Sequence, residues 1–417
     1  MTETKKKIPA LRFPEFSGEW EEKRFGEVYT FRTTNSYSRD NLNYKKGYLK
    51  NIHYGDIHVK YKTLFDVSNE DVPYINEEVN INKIPQDNYC KKNDLIIADA
   101  SEDYSGIGKT IEIINTNNEK IVAGLHTILA RPDLYALASG FGGYIMKNEK
   151  ITLQIKKHSQ GIKVLGLSSN RLSEISLFIP MYLEQQKIAE FLSSIDERIQ
   201  LLKEKKKQLE TYKKGMMQKI FNQEIRFKDE NGNNYPDWEE KGLGEVCNFQ
   251  NGKAHENCID SEGEYIVVNS KFISTRGKIK KFTHEQIHPL LKEQIVMVMS
   301  DVPKGKALGK CFYIDKDNLY TLNQRICSLF SETVNNKFIF YLIDRNPYFL
   351  SFDSGVGQTN LRKEDVLDCT ILVPNSLSEQ QKIANFLSAI DDKIEMCNNQ
   401  ITENEQYKKG LLQQMFV

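Results

Sequence analysis

Apolar residues recur at alternating steps of four and three along two stretches of the chain. In the first they are Ile188, Leu192, Ile195, Ile199, Leu202, Leu209, Met216 and Ile220, with Lys206 and Lys213 on the same stripe. In the second they are Ile383, Leu387, Ile390, Ile394, Cys397, Ile401, Leu411 and Met415, with Asn404 and Lys408. This is the ~3.5-residue period of a coiled-coil seam, and it predicts a long helix in each place. Residues 184–221 and 379–416 are each 38 residues long. At ~1.5 Å per residue that is ~57 Å, longer than one domain face requires. An ordinary amphipathic helix lying on its own domain is the simpler alternative. Length and similar polar interruptions favour the two helices pairing with each other, and the domain between them favours an antiparallel arrangement.

The two stretches are copies. EQQKIAEFLSSIDERI starts at Glu184 and EQQKIANFLSAIDDKI at Glu379, and 19 of the 38 aligned positions are identical. Upstream, WEEKRFGEV at Trp20 returns as WEEKGLGEV at Trp238, and these hold the chain's two tryptophans. Such a repeat has to be recognised before the fold is read. Each half runs from a Trp-led opening, through a body of mixed sequence, to a proline (Pro180, Pro374) and then the long segment. We therefore expect a body over residues 1–180, a helix over 181–222, a second body over 223–374 and a second helix over 375–417. The bodies read as α/β (mixed α+β). Strand-like runs lie at residues 94–100, 120–132, 294–300 and 322–331. The bodies share a skeleton and little residue identity: a strand ending in ADAS or VMSD, a loop ending in Gly-Lys (Lys109, Lys310), then a strand through His126 or Arg325.

Composition narrows the class. With 39% hydrophobic residues the chain can bury cores, and no apolar run reaches the ~18–20 residues of a membrane helix. The N-terminal lysines are not followed by an apolar stretch, so no secretory signal is expected there. Seven scattered cysteines without a CxxC pair read as reduced thiols, which places the chain in the cytoplasm. The net charge is zero, from 57 basic and 57 acidic residues. A polyanion partner would therefore have to be met by local basic faces.

Several catalytic patterns fail on inspection. GIGKT at residues 106–110 would end a phosphate loop, but the required glycine position holds Asp103. PDWEEK at residues 236–241 crowds its carboxylates and lysine into one turn, where a metal-dependent nuclease needs separate strands. NPYF at residues 346–349 lacks the second proline of an amino-methyltransferase motif, and no cofactor loop accompanies it. The histidines form no metal-ligand spacing. No catalytic constellation stands out, and the chain reads as a binder.

Local charge suggests where. Residues 271–281, KFISTRGKIKK, hold five basic residues and no acid. From this half we select Lys271, Thr275, Arg276, Lys278, Lys280, Lys304, Lys306 and Arg325 as DNA-contacting candidates. From the first body we select Tyr37, Arg39, Lys60, Tyr61, Lys62 and Lys109. Such residues position phosphates or read base edges. For any one of them a solvated surface loop is the plainer reading, and the signal is collective. The lysines at residues 203–214 read as a solvated coil face.

Taken together, the paired E-Q-Q-K-I-A-x-F-L-S-x-I-D segments, the W-E-E-K-x-x-G-E-V openings, the prolines before each helix and L-N-Q-R at residues 322–325 resemble the specificity subunit of type I restriction–modification systems. The first body has GLHTI at residues 124–128 in the corresponding place. The resemblance covers essentially the whole chain. It implies two target recognition domains, each reading half of a bipartite double-stranded DNA target. It also implies an antiparallel helical spacer that docks two modification (methyltransferase) subunits, joined by restriction (translocase/endonuclease) subunits. This chain would then be non-catalytic and bind no cofactor, with S-adenosylmethionine, ATP and Mg on the partners. Three rivals remain on sequence grounds: the specificity module of another restriction–modification type, a coiled-coil adaptor that binds only proteins, and an enzyme with an unrecognised site.

Overall fold

The computed structural model describes residues 7–133, 136–161 and 164–417; the N-terminal lysines among residues 1–6 fall outside them. Two helices dominate, Tyr182–Phe221 of 40 residues and Leu377–Gln414 of 38. The first stops where Gln223 takes a left-handed φ of 60°, letting the N–H groups of Glu224 and Ile225 close onto the Lys219 carbonyl. The expected stripe is the less exposed face of both helices along its full length. Among the helix-pairing candidates, Ile188, Leu192, Ile195, Ile199, Ile383, Leu387, Ile390 and Ile394 are buried, while Leu202 is half-buried.

The chain forms two compact units, Met1–Glu204 with Asn398–Val417, and Lys205–Cys397. Each holds one body and part of both helices. In the first, Ile188 to Ile199 share a core with Leu411, Met415 and Phe416. In the second, Ile383 to Ile394 share one with Leu209, Met216 and Ile220. The helices are therefore antiparallel, and each seam also faces a body.

The central sheet of the first body runs Tyr29–Arg32, Thr127–Pro132, Leu95–Ala98, Thr110–Asn115, Leu64–Asp66. It is antiparallel except for its last pair. The second body repeats it with Asn248–Asn251, Ile326–Phe330, Ile295–Val298 and Cys311–Tyr313. Beside it, each body has a smaller sheet built on a parallel pair, Lys50–Ile52 with Ile121–Ala123 and Tyr265–Val268 with Tyr320–Leu322. The runs LIIA and IVMV are wholly buried because side chains of alternate residues enter different cores. Leu95, Ile97, Ile295 and Met297 face the cores that include the long helices; Ile96, Ala98, Val296 and Val298 face the smaller sheets. The opening strand Glu21–Arg24 pairs with Ser176–Ile179, and Trp238–Gly242 with Thr370–Pro374. The sequence PDWEEK is thus the start of a closing strand pair.

All four expected strands are broken: residues 94–100 divide at Asp99 and residues 294–300 at Met299, and the other two divide at a turn. Residues 120–132 form Ile121–Ala123 and Thr127–Pro132, and residues 322–331 belong to Tyr320–Leu322 and Ile326–Phe330. His126 at φ 55° and Arg325 at φ 65° interrupt them. A left-handed residue cannot continue a strand, so the chain steps there from the smaller sheet to the central one. The Gly-Lys loops also differ from phosphate loops. In the first, the Asp103 carboxylate accepts the N–H groups of Ser105 and Gly106, both at 2.8 Å. In the second, Asp301 accepts those of Val302, Ala307 and Leu308 at 2.9, 2.6 and 3.1 Å. Each loop's amides are taken up by its own acid. NPYF is a helix start, with Asn346 capping Tyr348 N and Pro347 in the first turn.

Candidate nucleic-acid interface

The repeated motif residues build the frame that holds each body. Arg12 grips the buried Glu184 with two bonds of 2.7 Å, and Arg226 grips Glu379 at 3.2 and 3.0 Å. Gln185 and Gln380 accept the N–H of Ala138 and Asn335 and donate to the carbonyls of Pro180 and Pro374. One step along each helix, an Asp gathers a body and the opposite helix. Asp196 accepts the Tyr144 hydroxyl at 2.8 Å and Lys408 at 2.6 Å. Asp391 accepts Tyr341 at 2.9 Å and Lys213 at 2.6 Å. Burial beside these carboxylates pushes both tyrosine hydroxyls far above their ordinary range. The seam lysines Lys213 and Lys408 are therefore ion-pair anchors. Arg12 and Arg226 were missed from sequence, although each opens an Arg-Phe dipeptide upstream of its tryptophan. Phe13 and Phe227 pack edge-on against Phe191 and Phe386.

On the first body, Arg39, Lys60, Tyr61 and Lys109 gather around the short helix Tyr54–Val59. Arg39 is held by Asp56 through bonds of 2.8 and 3.0 Å. Lys60 pairs with Asp71 at 2.9 Å and lies over the Tyr44 ring. Lys109 donates to the His58 carbonyl. Tyr61 is largely buried, edge-on to Phe65, and belongs to the core. Lys62 is exposed. Tyr37 stands apart, its hydroxyl on the Asn80 carbonyl at 3.3 Å. Two of these four cations, Arg39 and Lys60, already have acidic partners, which makes this group a structured patch.

The second body is more open. Lys271 lies on the helix Ser270–Ser274, and Thr275 ties off the following turn by donating to the Lys271 carbonyl and accepting Ile279 N–H. Arg276, Lys278, Lys280, Lys304, Lys306 and Arg325 are exposed, and none has an ion-pair partner among the described residues. Three of them, Arg276, Lys304 and Arg325, have left-handed backbones. The loop beside Lys304 carries Val356, 85% exposed. Strand Ser300–Asp301 joins that region to Thr359–Asn360, and Gln358 donates to Ser300 Oγ at 2.7 Å. Exposed, unpaired cations of this kind are suited to meeting phosphates. Among the described residues no cluster of His, Cys, Asp or Glu is placed to hold a metal ion. No described helix is long and apolar enough to cross a membrane.

The family model of the type I restriction modification DNA specificity domain matches residues 17–211 and again 235–406. The chain belongs to this family. Its two matched segments carry the two bodies. The type I restriction enzyme MjaVIII specificity subunit of Methanocaldococcus jannaschii is 27% identical over 278 residues, covering 62% of this chain and 65% of that one. The putative MjaX specificity subunit of the same organism is 24% identical over 323 residues, 73% of each. The fold is that of the type I system S subunit from M. genitalium, with a TM-score of 0.61, 16% identity, and coverage of 98% of this chain and 99% of that chain. A chain from a structure describing complex assembly of the type I R-M system gives 0.52 at 14% identity, covering 94% and 96%. The resemblance read from the repeats is thus confirmed, and with it the DNA-binding specificity class.

Proposed function

We propose that this specificity protein reads a bipartite double-stranded DNA target, one half per body, for a type I restriction–modification complex. The observation that carries this is the twin frame. The same Arg–Glu grip, Gln clasp and Tyr–Asp–Lys anchor hold two bodies whose exposed side chains differ. A constant mount with changed content fits two readers of different sequences. In this reading the antiparallel helices set the spacing between half-sites and dock two methyltransferase subunits, to which restriction subunits add. Methyl transfer, ATP-driven translocation and cleavage fall to those partners, with their S-adenosylmethionine, ATP and Mg, in the cytoplasm. This chain contributes recognition alone.

A map of methylated positions in cells carrying the chain with its methyltransferase partner tests the proposal. Two short fixed sequences at one constant spacing are expected; a single continuous site, or none, refutes it. In vitro, neutralising Arg276, Lys278 and Lys280 together should weaken DNA binding and flatten its salt dependence, because fewer counterions are released. Binding of the methyltransferase partner should stay intact. An unchanged salt slope with loss of that partner would move these residues to a protein interface.

A further inference from the structure

We propose that His126 and Arg325 are specificity-determining residues, each offered to a base edge of its own half-site by the same left-handed turn. The inference rests on the DNA-reading function above and names the side chains that read.

The two turns are built alike. The chain leaves the smaller sheet at Ile121–Ala123 or Tyr320–Leu322 and enters the central sheet at Thr127–Pro132 or Ile326–Phe330. At the start of the turn, Gly124 N–H bonds to Ile52 O and Asn323 N–H to Val268 O. At its apex the His126 carbonyl accepts Asp99 N–H at 3.1 Å and the Arg325 carbonyl accepts Met299 N–H at 3.0 Å. The backbone is therefore clamped to the end of a central strand in both bodies. Glycine or asparagine fits such a backbone most easily, whereas an imidazole or guanidinium residue is strained there. Strain kept at two equivalent positions, each with its side chain exposed, marks a site where the side chain itself is needed.

What each can do follows from its surroundings. The Arg325 guanidinium has no hydrogen-bond or ion-pair partner among the described residues, while the adjacent Gln324 side chain is tied to Glu256. A free guanidinium on a rigid turn can donate two bonds to guanine O6 and N7. Met299 joins strand Ile295–Val298 to Ser300–Asp301 and so to the loop of Lys304 and Lys306, cations suited to the flanking phosphates. His126 stands edge-on to Tyr54, with ring centroids 5.2 Å apart, and its Nδ1 is 3.4 Å from Asp99 Oδ1. That orientation leaves Nε2 as the edge available to a base. Lys278 and Lys280 are also exposed, but they extend from a surface loop with no comparable clamp. The frame is common and the tip differs, which is what two readers of different half-sites require.

The test uses the full chain with its methyltransferase partner and the methylation map. Asparagine suits the left-handed backbone, so Arg325→Asn and His126→Asn should fold with an unchanged or higher Tm. Arg325→Asn should relax one base position in one half-site, with discrimination there falling roughly ten- to hundredfold, and leave the other half-site intact. His126→Asn should do the same in the other half-site, and His126→Arg should move its preference toward guanine. Unaltered base preferences in both Asn variants would make the turn structural and overturn the proposal. A uniform loss at all sites with a shallower salt slope would make Arg325 a phosphate contact and overturn it equally. If the unmodified chain directs no bipartite methylation, the DNA-reading function itself has failed, independently of these two residues.

Discussion

Glu112 is 1% exposed, and its carboxylate is met by backbone, with Gly140 and Gly143 donating to it at 2.6 Å each. These glycines are needed for close approach: a β-carbon on Gly143 would stand 3.1 Å from Glu112 Cβ, and Gly140 sits at φ 89°. Burial pushes the carboxyl up to about 7, and the two amides pull it only part of the way back. The unfolded carboxyl ionises near pH 4.5, so between about pH 4.5 and 7 the folded state holds the proton and the unfolded state releases it. Stability must therefore fall as pH rises through that window, by about 3 kcal/mol in all for this group. Glu112→Gln keeps one acceptor, loses the other and cannot titrate. Its Tm should be lower at acidic pH and should fall less between pH 5 and 7 than that of the natural chain; equal slopes would show an ionised Glu112 throughout. The pattern TIEIIN could not reveal this, because a polar residue in an alternating strand is normally read as facing water. The amides that receive it come from a segment almost 30 residues on. Arg12 was hidden for a related reason, since a lone arginine says nothing until its glutamate is found 172 residues away.

At the scale of elements, periodicity was the reliable guide. The seam was legible because every position on the stripe obeys one spacing. Its lysines looked like flaws in the seam, and the structure gives them partners. Ile195 is 7% exposed in the core that also takes Leu411 and Met415. Ile195→Asp would place an unpaired charge there, so a loss of roughly 3–5 kcal/mol is expected, read as a fall in Tm. Recognition of both half-sites should fail together; an unchanged Tm would mean that this seam does not hold the helices. The broken strands were not legible. A run such as LNQRICSLFS has strand-like content throughout, and only φ at Arg325 separates its two parts. Arg and His carry no compositional signal for a left-handed backbone, whereas glycine would have announced it. The surroundings of the candidate cations of the first body were hidden on similar grounds. Arg39 and Lys60 look free in sequence, but Asp56 and Asp71 engage them in space.

For the whole molecule the repeat decided most of the reading: one plan used twice, with the helices as the shared part. If those helices space the half-sites, four residues inserted near Lys206 add ~6 Å of helix, about the rise of two base pairs. Four is also an insertion a coiled coil absorbs as a stutter. The methylation map of that variant should show both half-sites unchanged and a spacer longer by one or two base pairs. New half-sites at the old spacing would place sequence reading in the helices. The antiparallel arrangement also sets a timetable for synthesis. Trp20 lies 6.2 Å edge-on from Phe416, and the core of the first body takes in Leu411 and Met415. Those residues are translated only after the whole second body. At about 5–20 residues per second, on the order of 10–40 s separates the emergence of Phe221 from that of Phe416. Throughout that interval the first body stands on the ribosome with its core open at Trp20. Nascent chains stalled at Asn398 should therefore be cut by protease within the first body, and chains extended past Val417 by a linker that clears the exit tunnel should resist.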